Sequence, residues 1–166
     1  ADNATNSKLF DHKKDIIAFM KAGGDFFLTT NKTDYLLSHA TTLVSEYFPQ
    51  TDAFKYFKIT KAEKKANSYF WGASPIVPGY APVSIDSSKT PISFSHHLNT
   101  MVEAIYPLNE ARTIYNYTSQ FDSATTQGAM TNLPVGIEYL GDDYKLVMLS
   151  FPLYYMKFDE AQTLVN

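Results

Sequence analysis

The chain has 166 residues, 45% hydrophobic and 19% charged, which gives one domain with an apolar core and excludes a disordered chain. A net charge of −3, with no block of Lys and Arg, excludes the clustered cations that nucleic-acid phosphates require. The chain has no cysteine, so disulfides, thiolate metal sites and Cys nucleophiles are excluded together.

Residues 1–8 are polar and read as a linker or tail, leaving 9–166 as a single α/β domain. Residues 11–22 predict a helix capped by Asp11, with Ile16, Ile17, Phe19 and Met20 as its apolar stripe. Gly23-Gly24 stops that helix, and residues 25–29 (DFFLT) then predict a buried strand. A helix, a Gly-Gly stop and a short apolar strand make the α-to-β step of a parallel layer. After the turn Thr30-Asn31-Lys32, the spacing of Leu36, Leu37, Ala40, Leu43, Val44 and Tyr47 predicts a helix over 35–47, ended by Pro49.

Residues 54–59 predict a short strand or one helical turn. The basic cluster at 61–65 is interrupted by Glu63 and reads as a solvated helix or loop face. Pro75, Pro78, Pro82 and Pro91, with Gly72 and Gly79, predict irregular structure over 60–95, where the Trp71 and Tyr80 region forms an ordered loop over one sheet edge. The stretch 98–105 is short and apolar, 113–117 alternates as a strand, and 119–131 is a polar loop. Residues 135–140 and 145–151 predict a hairpin about the turn Gly141-Asp142-Asp143. Its second arm is almost continuously apolar, as in a strand covered on both faces. A last helix is expected over 159–165, capped by Asp159.

The segments KAGGDFFLTT, SEYFPQ, TIYNYT, GIEYLGDDYKLVMLSFPLYYM and FDEAQTLV, in that order, resemble the class I glutamine amidotransferase-like family. The closer likeness is to a non-catalytic branch found in large secreted or surface proteins of Bacteroidetes-type bacteria, in which Ser150 here replaces a Gly. The resemblance implies a three-layer flavodoxin-like α/β sheet, mostly parallel, with an antiparallel hairpin near the C-terminus. It also implies that the first strands lie before residue 1, so the sheet is incomplete at its N-terminal end. Another segment of the parent chain or a neighbouring subunit is then expected to complete it beside residues 25–29. In the amidotransferases a Cys occupies the turn after the strand that matches 25–29. Here that turn is Thr30-Asn31-Lys32, which supplies no such nucleophile.

Few residues carry chemistry. Thr30 would need an adjacent base to act as a nucleophile. Adjacent His96 and His97 point to opposite faces of any strand, so chelation would need partners such as His12, His39 or Asp86 brought in by the fold. Glu103 lies in an apolar stretch and reads as a carboxylate near the sheet or at the surface. Asp142-Asp143 reads as turn chemistry before calcium binding. No catalytic, metal or cofactor site is expected, and no glycine-rich phosphate loop is present. With 12 Phe, 12 Tyr and one Trp, some rings must reach the surface, and Trp71, Tyr80, Tyr154 and Tyr155 are candidates for a glycan or protein contact.

Asn3, Asn31 and Asn116 begin glycosylation sequons, and the Tyr-, Thr-, Ser- and Asn-rich composition points outside the cell. No apolar run is long enough to span a membrane. The expected function is a non-catalytic structural or adhesive module of an extracellular or cell-surface bacterial protein. The alternatives are an accessory carbohydrate- or peptide-binding domain beside a secreted hydrolase, or a hydrolase itself.

Overall fold

A computed structural model describes residues 11–30, 33–38, 42–90, 98, 99 and 102–165. Helix α1 (Lys13–Lys21) buries Ile17 and Met20. Its N-cap is His12, not the expected Asp11; the His12 carbonyl accepts the N–H groups of Asp15 and Ile16. At its C-terminus the Gly24 N–H bonds the Phe19 carbonyl and the Gly23 N–H bonds that of Met20, a Schellman closure. This closure needs the left-handed φ of +89° that Gly23 adopts.

Strand β1 (Phe26–Thr29) follows directly. Helix α2 (Thr33–Ser38) is short, and the chain then forms strand β2 (Val44–Glu46), so the helix expected over 35–47 is corrected. Leu43, Val44 and Tyr47 sit on extended backbone paired to the next strand, where the Tyr47 N–H bonds the Thr60 carbonyl. A β-branched, Ser-containing run of this length satisfies either period, and strand pairing decided it. Helix α3 (Asp52–Lys55) is capped by the Thr51 hydroxyl, which accepts the Phe54 N–H at 3.3 Å.

The region expected to be irregular holds strands β3 (Ile59–Glu63), β4 (Tyr69–Phe70), β5 (Gly72–Pro75) and β6 (Val83–Ser84). Pro75 ends β5 and Pro82 precedes β6, which leaves both too short for sequence patterns to find. Of the basic cluster 61–65, Lys61 to Glu63 therefore end a strand and are not helical, while Lys64 and Lys65 follow it. Strands β7 (Leu98–Asn99), β8 (Ala104–Pro107), β9 (Arg112–Thr118), β10 (Pro134–Leu140) and β11 (Lys145–Leu149) follow. The chain closes with a 3-10 turn (Leu153–Tyr155) and helix α4 (Phe158–Val165). The first helical bond of α4 runs from the Ala161 N–H to the Lys157 carbonyl, so Asp159 lies inside the first turn and is not the cap.

The main sheet has the order β1-β11-β10-β9-β5-β6 and curls into half a barrel. Only β1 and β11 run parallel; the β11–β10, β10–β9, β9–β5 and β5–β6 pairs are antiparallel. A three-stranded sheet β2-β3-β8 and the β4–β7 pair complete the set. The mostly parallel, three-layer flavodoxin-like fold is thereby overturned. Parallel neighbours need long crossovers, usually helical, whereas β10 and β11 are joined by a four-residue loop, 141–144. Register shifts on β10 between Pro134 and Ile137 mark a bulge, which sharpens the curl.

The expected hairpin is present, with Leu140 opposite Lys145 and Gly136 opposite Leu149. Asp143 organises its loop, its carboxylate accepting the Tyr139 hydroxyl and the Tyr144 N–H at 3.1 Å each. A Cβ on Gly141 would lie 2.2 Å from the Tyr139 hydroxyl oxygen, so any larger residue there would push the Tyr139 ring aside.

β11 is covered on both faces, as its sequence suggested. Leu146 and Met148 join Leu28, Ile137, Phe57, Ile59 and Ile105 in one apolar cluster with α1. Leu149 joins Phe70, Ile114, Tyr115, Tyr117, Phe151 and Met156 in a second, against which Ala161 and Leu164 of α4 pack.

Candidate functional site

The C-terminal end of the parallel pair is where an α/β sheet of the expected kind would place its chemistry. The Thr30 N–H is bonded to the Leu149 carbonyl at 3.0 Å, which fixes the turn after β1 against the end of β11. The next residue, Ser150, is fully buried and donates its hydroxyl to the carbonyls of Glu103 and Val135. Thr30 and Glu103 are thus tied to successive residues at one end of β11. His96 and His97, together with His39, Asn31 and Asn3, lie outside the described residues.

Glu103 is buried, and its carboxylate is the hub of a polar cluster. Oε2 accepts the backbone N–H of Asp34, in the first turn of α2, at 2.8 Å. Oε1 lies 3.4 Å from Lys64 Nζ. The Asp34 carboxylate accepts the Tyr47 hydroxyl at 2.7 Å and, more loosely, the Thr42 hydroxyl at 3.4 Å. Burial pushes the Glu103 carboxyl above the ordinary range, against the Asp34 N–H and Lys64, which pull it down; the Asp34 charge raises it further. The cluster joins α2, the segment after β2, the residue after β3 and the entry to β8. Sequence reading singled out Glu103 but missed Asp34, Tyr47 and Lys64. Positions 34, 47, 64 and 103 share no spacing, and only the fold brings them together.

A second buried carboxylate, Glu138 on β10, was also missed. It accepts Arg112 Nε and the Tyr80 hydroxyl, the latter at 2.7 Å. Burial and then Glu138 itself push the Tyr80 phenol far above its usual range. An open cavity of about 190 Å³, lined by Asn109, Glu110, Arg112 and Glu138 among others, adjoins this pair.

The four candidate aromatics have separate surroundings. Tyr80 packs edge-on against Tyr115 at 5.6 Å. Trp71 is half-buried between β4 and β5, where its backbone bonds Thr118 and Ile85. Tyr154 and Tyr155 meet edge to face at 5.1 Å, and of the four only Tyr154 is largely exposed, at 73%. Among the described residues no group of three or more His, Asp or Glu could hold a metal ion, and no helix is long and apolar enough to cross a membrane. No family model matches the chain, and no curated protein matches it.

Proposed function

We propose that the chain is a non-catalytic structural or adhesive module of an extracellular or cell-surface protein, with its main sheet completed by a strand from outside residues 1–166. The observation that carries this reading is the contrast between the two edges of that sheet. The β6 edge is closed by the chain itself: the Ser84 N–H and hydroxyl bond the Glu160 carboxylate, and the Lys157 N–H bonds the Ser84 carbonyl. Strand β1 has β11 as its single strand neighbour among the described residues, and its sequence, FFLT, carries no charge, proline or bulge to discourage pairing.

The polar cluster supports the non-catalytic part. At a nucleophile elbow, the N–H groups opening the helix must face a developing oxyanion. Here the Asp34 N–H is taken by Glu103. A glycan-binding alternative rests on the exposed Tyr154 beside Tyr155.

The test is to incubate the 166-residue protein with ester, peptide and glycoside substrates and to pass it over immobilised glycans. The expected outcome is no turnover and no retention. Turnover lost in Thr30→Val and Glu103→Gln would overturn the reading in favour of a hydrolase. Retention lost in Tyr154→Ala would favour the accessory binding domain.

A further inference from the structure

We infer that the cavity beside Glu138 is a binding site for a small zwitterion, an α-amino acid with an apolar side chain. This goes beyond the module reading, which stands or falls without it.

The turn between β8 and β9 places two opposite charges on the cavity. Glu110 and Arg112 are two residues apart and both line it, with Asn109, Glu138 and Leu140. They do not pair with each other. Lys58 Nζ donates to Glu110 Oε2 at 2.8 Å, and Arg112 Nε donates to Glu138 Oε1. In each pair the outer member is 59% exposed, while Lys58 is 12% and Glu138 5% exposed. Glu110 and Arg112 are thus each held by a more buried partner from another element. Among the described residues, Glu110 Oε1 and the two Nη groups of Arg112 have no hydrogen-bond partner.

The holding partners are themselves fixed. Glu138 Oε2 accepts the Tyr80 hydroxyl, so both oxygens of that carboxylate are engaged. Lys58 Nζ lies over the Tyr139 ring, 4.5 Å from its centre. The Lys58 backbone has a φ of +56°, in the left-handed region that a lysine seldom adopts. Its carbonyl accepts the Leu108 N–H at 2.7 Å, and the Leu108 carbonyl accepts the Ala111 N–H at 2.8 Å. One strained residue therefore holds both the turn and the Glu110 side chain.

These bonds leave one carboxylate oxygen and one guanidinium fork on the same small space. A lone anion there would meet Glu110 and Glu138, and a lone cation would meet Arg112. A zwitterion suits both: its ammonium donates to Glu110 Oε1, and its carboxylate accepts the Nη groups of Arg112 as a fork. Leu140, 59% exposed, offers a surface to an apolar side chain. The cavity, about 190 Å³, is smaller than the roughly 300–1,000 Å³ of drug-sized sites, which limits the ligand to the size of a single amino acid.

The experiment titrates the full 166-residue protein with leucine, N-acetylleucine, leucine amide and glucose in turn, and follows backbone amide shifts by NMR. Leucine should move the amides of residues 109–112, 138 and 140 and saturate at millimolar concentration. N-acetylleucine and leucine amide each lack one charge and should bind about tenfold more weakly or worse, and glucose should shift nothing. Glu110→Gln should weaken leucine to the level of N-acetylleucine and leave N-acetylleucine no weaker than before. Arg112→Lys keeps the charge but not the fork, and should weaken leucine while leaving leucine amide unchanged. Amide shifts away from the cavity check that each variant is folded. No saturable shift with leucine, an equal response to either single-charge analogue, or a response to glucose would each overturn the inference. The turnover and glycan retention above bear on the module reading alone.

Discussion

At Glu103 a carboxylate is held between a helix-opening N–H and a lysine, and removing it has two separable consequences. Its carboxyl titrates higher in the folded chain than its ordinary 4.5, chiefly because it is buried. Between the two values the folded state holds more protons than the unfolded one. The stability it contributes is therefore complete below 4.5 and is lost as pH rises through the raised value. Wild type should accordingly gain stability relative to Glu103→Gln as pH falls from neutrality toward 4.5, with the difference read from urea midpoints at each pH. A difference that is flat or opposite in slope would contradict the account. Glu103→Ala does something else: it strands the Asp34 N–H and leaves Lys64 without its counter-charge, at a cost of about 2–4 kcal/mol. Tyr47→Phe removes one hydrogen bond to Asp34 and should cost about 1–2 kcal/mol in the same assay.

What the sequence disclosed at this scale was uneven, for a physical reason. Gly23 announces itself, because a helix stop with a left-handed φ is a local requirement. Glu138 looks like an ordinary surface acid and Glu103 stands out only by its apolar neighbours, because the partner of each is far along the chain: Asp34, 69 residues from Glu103, and Tyr80, 58 from Glu138.

Among elements, α4 shows how a helix can stand in for a missing strand. Glu160 accepts both the N–H and the hydroxyl of Ser84, and so satisfies an edge donor that a seventh strand would otherwise take. Glu160→Ala should free that amide to exchange, lower stability by about 1–3 kcal/mol and loosen α4, while leaving β9 to β11 protected. Slow exchange at Ser84 in the variant would show that Glu160 is not what protects that edge. The elements legible in the sequence, α1, β1, β9, the β10–β11 hairpin and α4, are those whose period or turn is stated within a dozen residues. The short strands β4, β5 and β6 take their conformation from distant neighbours, as β5 does from β9, and carry no period of their own. The mostly parallel fold was misread from one correct local step. β1 does lie parallel to β11, but hairpin-like and loop connections elsewhere leave the remaining pairs of that sheet antiparallel.

For the whole molecule, β11 decides whether the two apolar clusters are one core or two. Leu146 and Met148 serve the cluster under α1, and Leu149 serves the cluster under α4. A strand that supplies adjacent residues to both faces cannot lose one cluster and keep its pairing, so the clusters should melt together. Trp71, the one tryptophan of the chain, lies between β4 and β5, whose Phe70 and Ala73 belong to the α4-side cluster, and offers a probe of that end of the sheet. Leu146→Ala opens a cavity in the other cluster, where the side chain is fully buried, and should cost about 2–5 kcal/mol. Urea unfolding of this variant, followed by Trp71 fluorescence and by backbone circular dichroism, should shift to the same lower midpoint with both probes. If the fluorescence transition stays at its wild-type position while the circular dichroism shifts, the sheet transmits nothing between its faces, and the two clusters are separate folding units joined by β11.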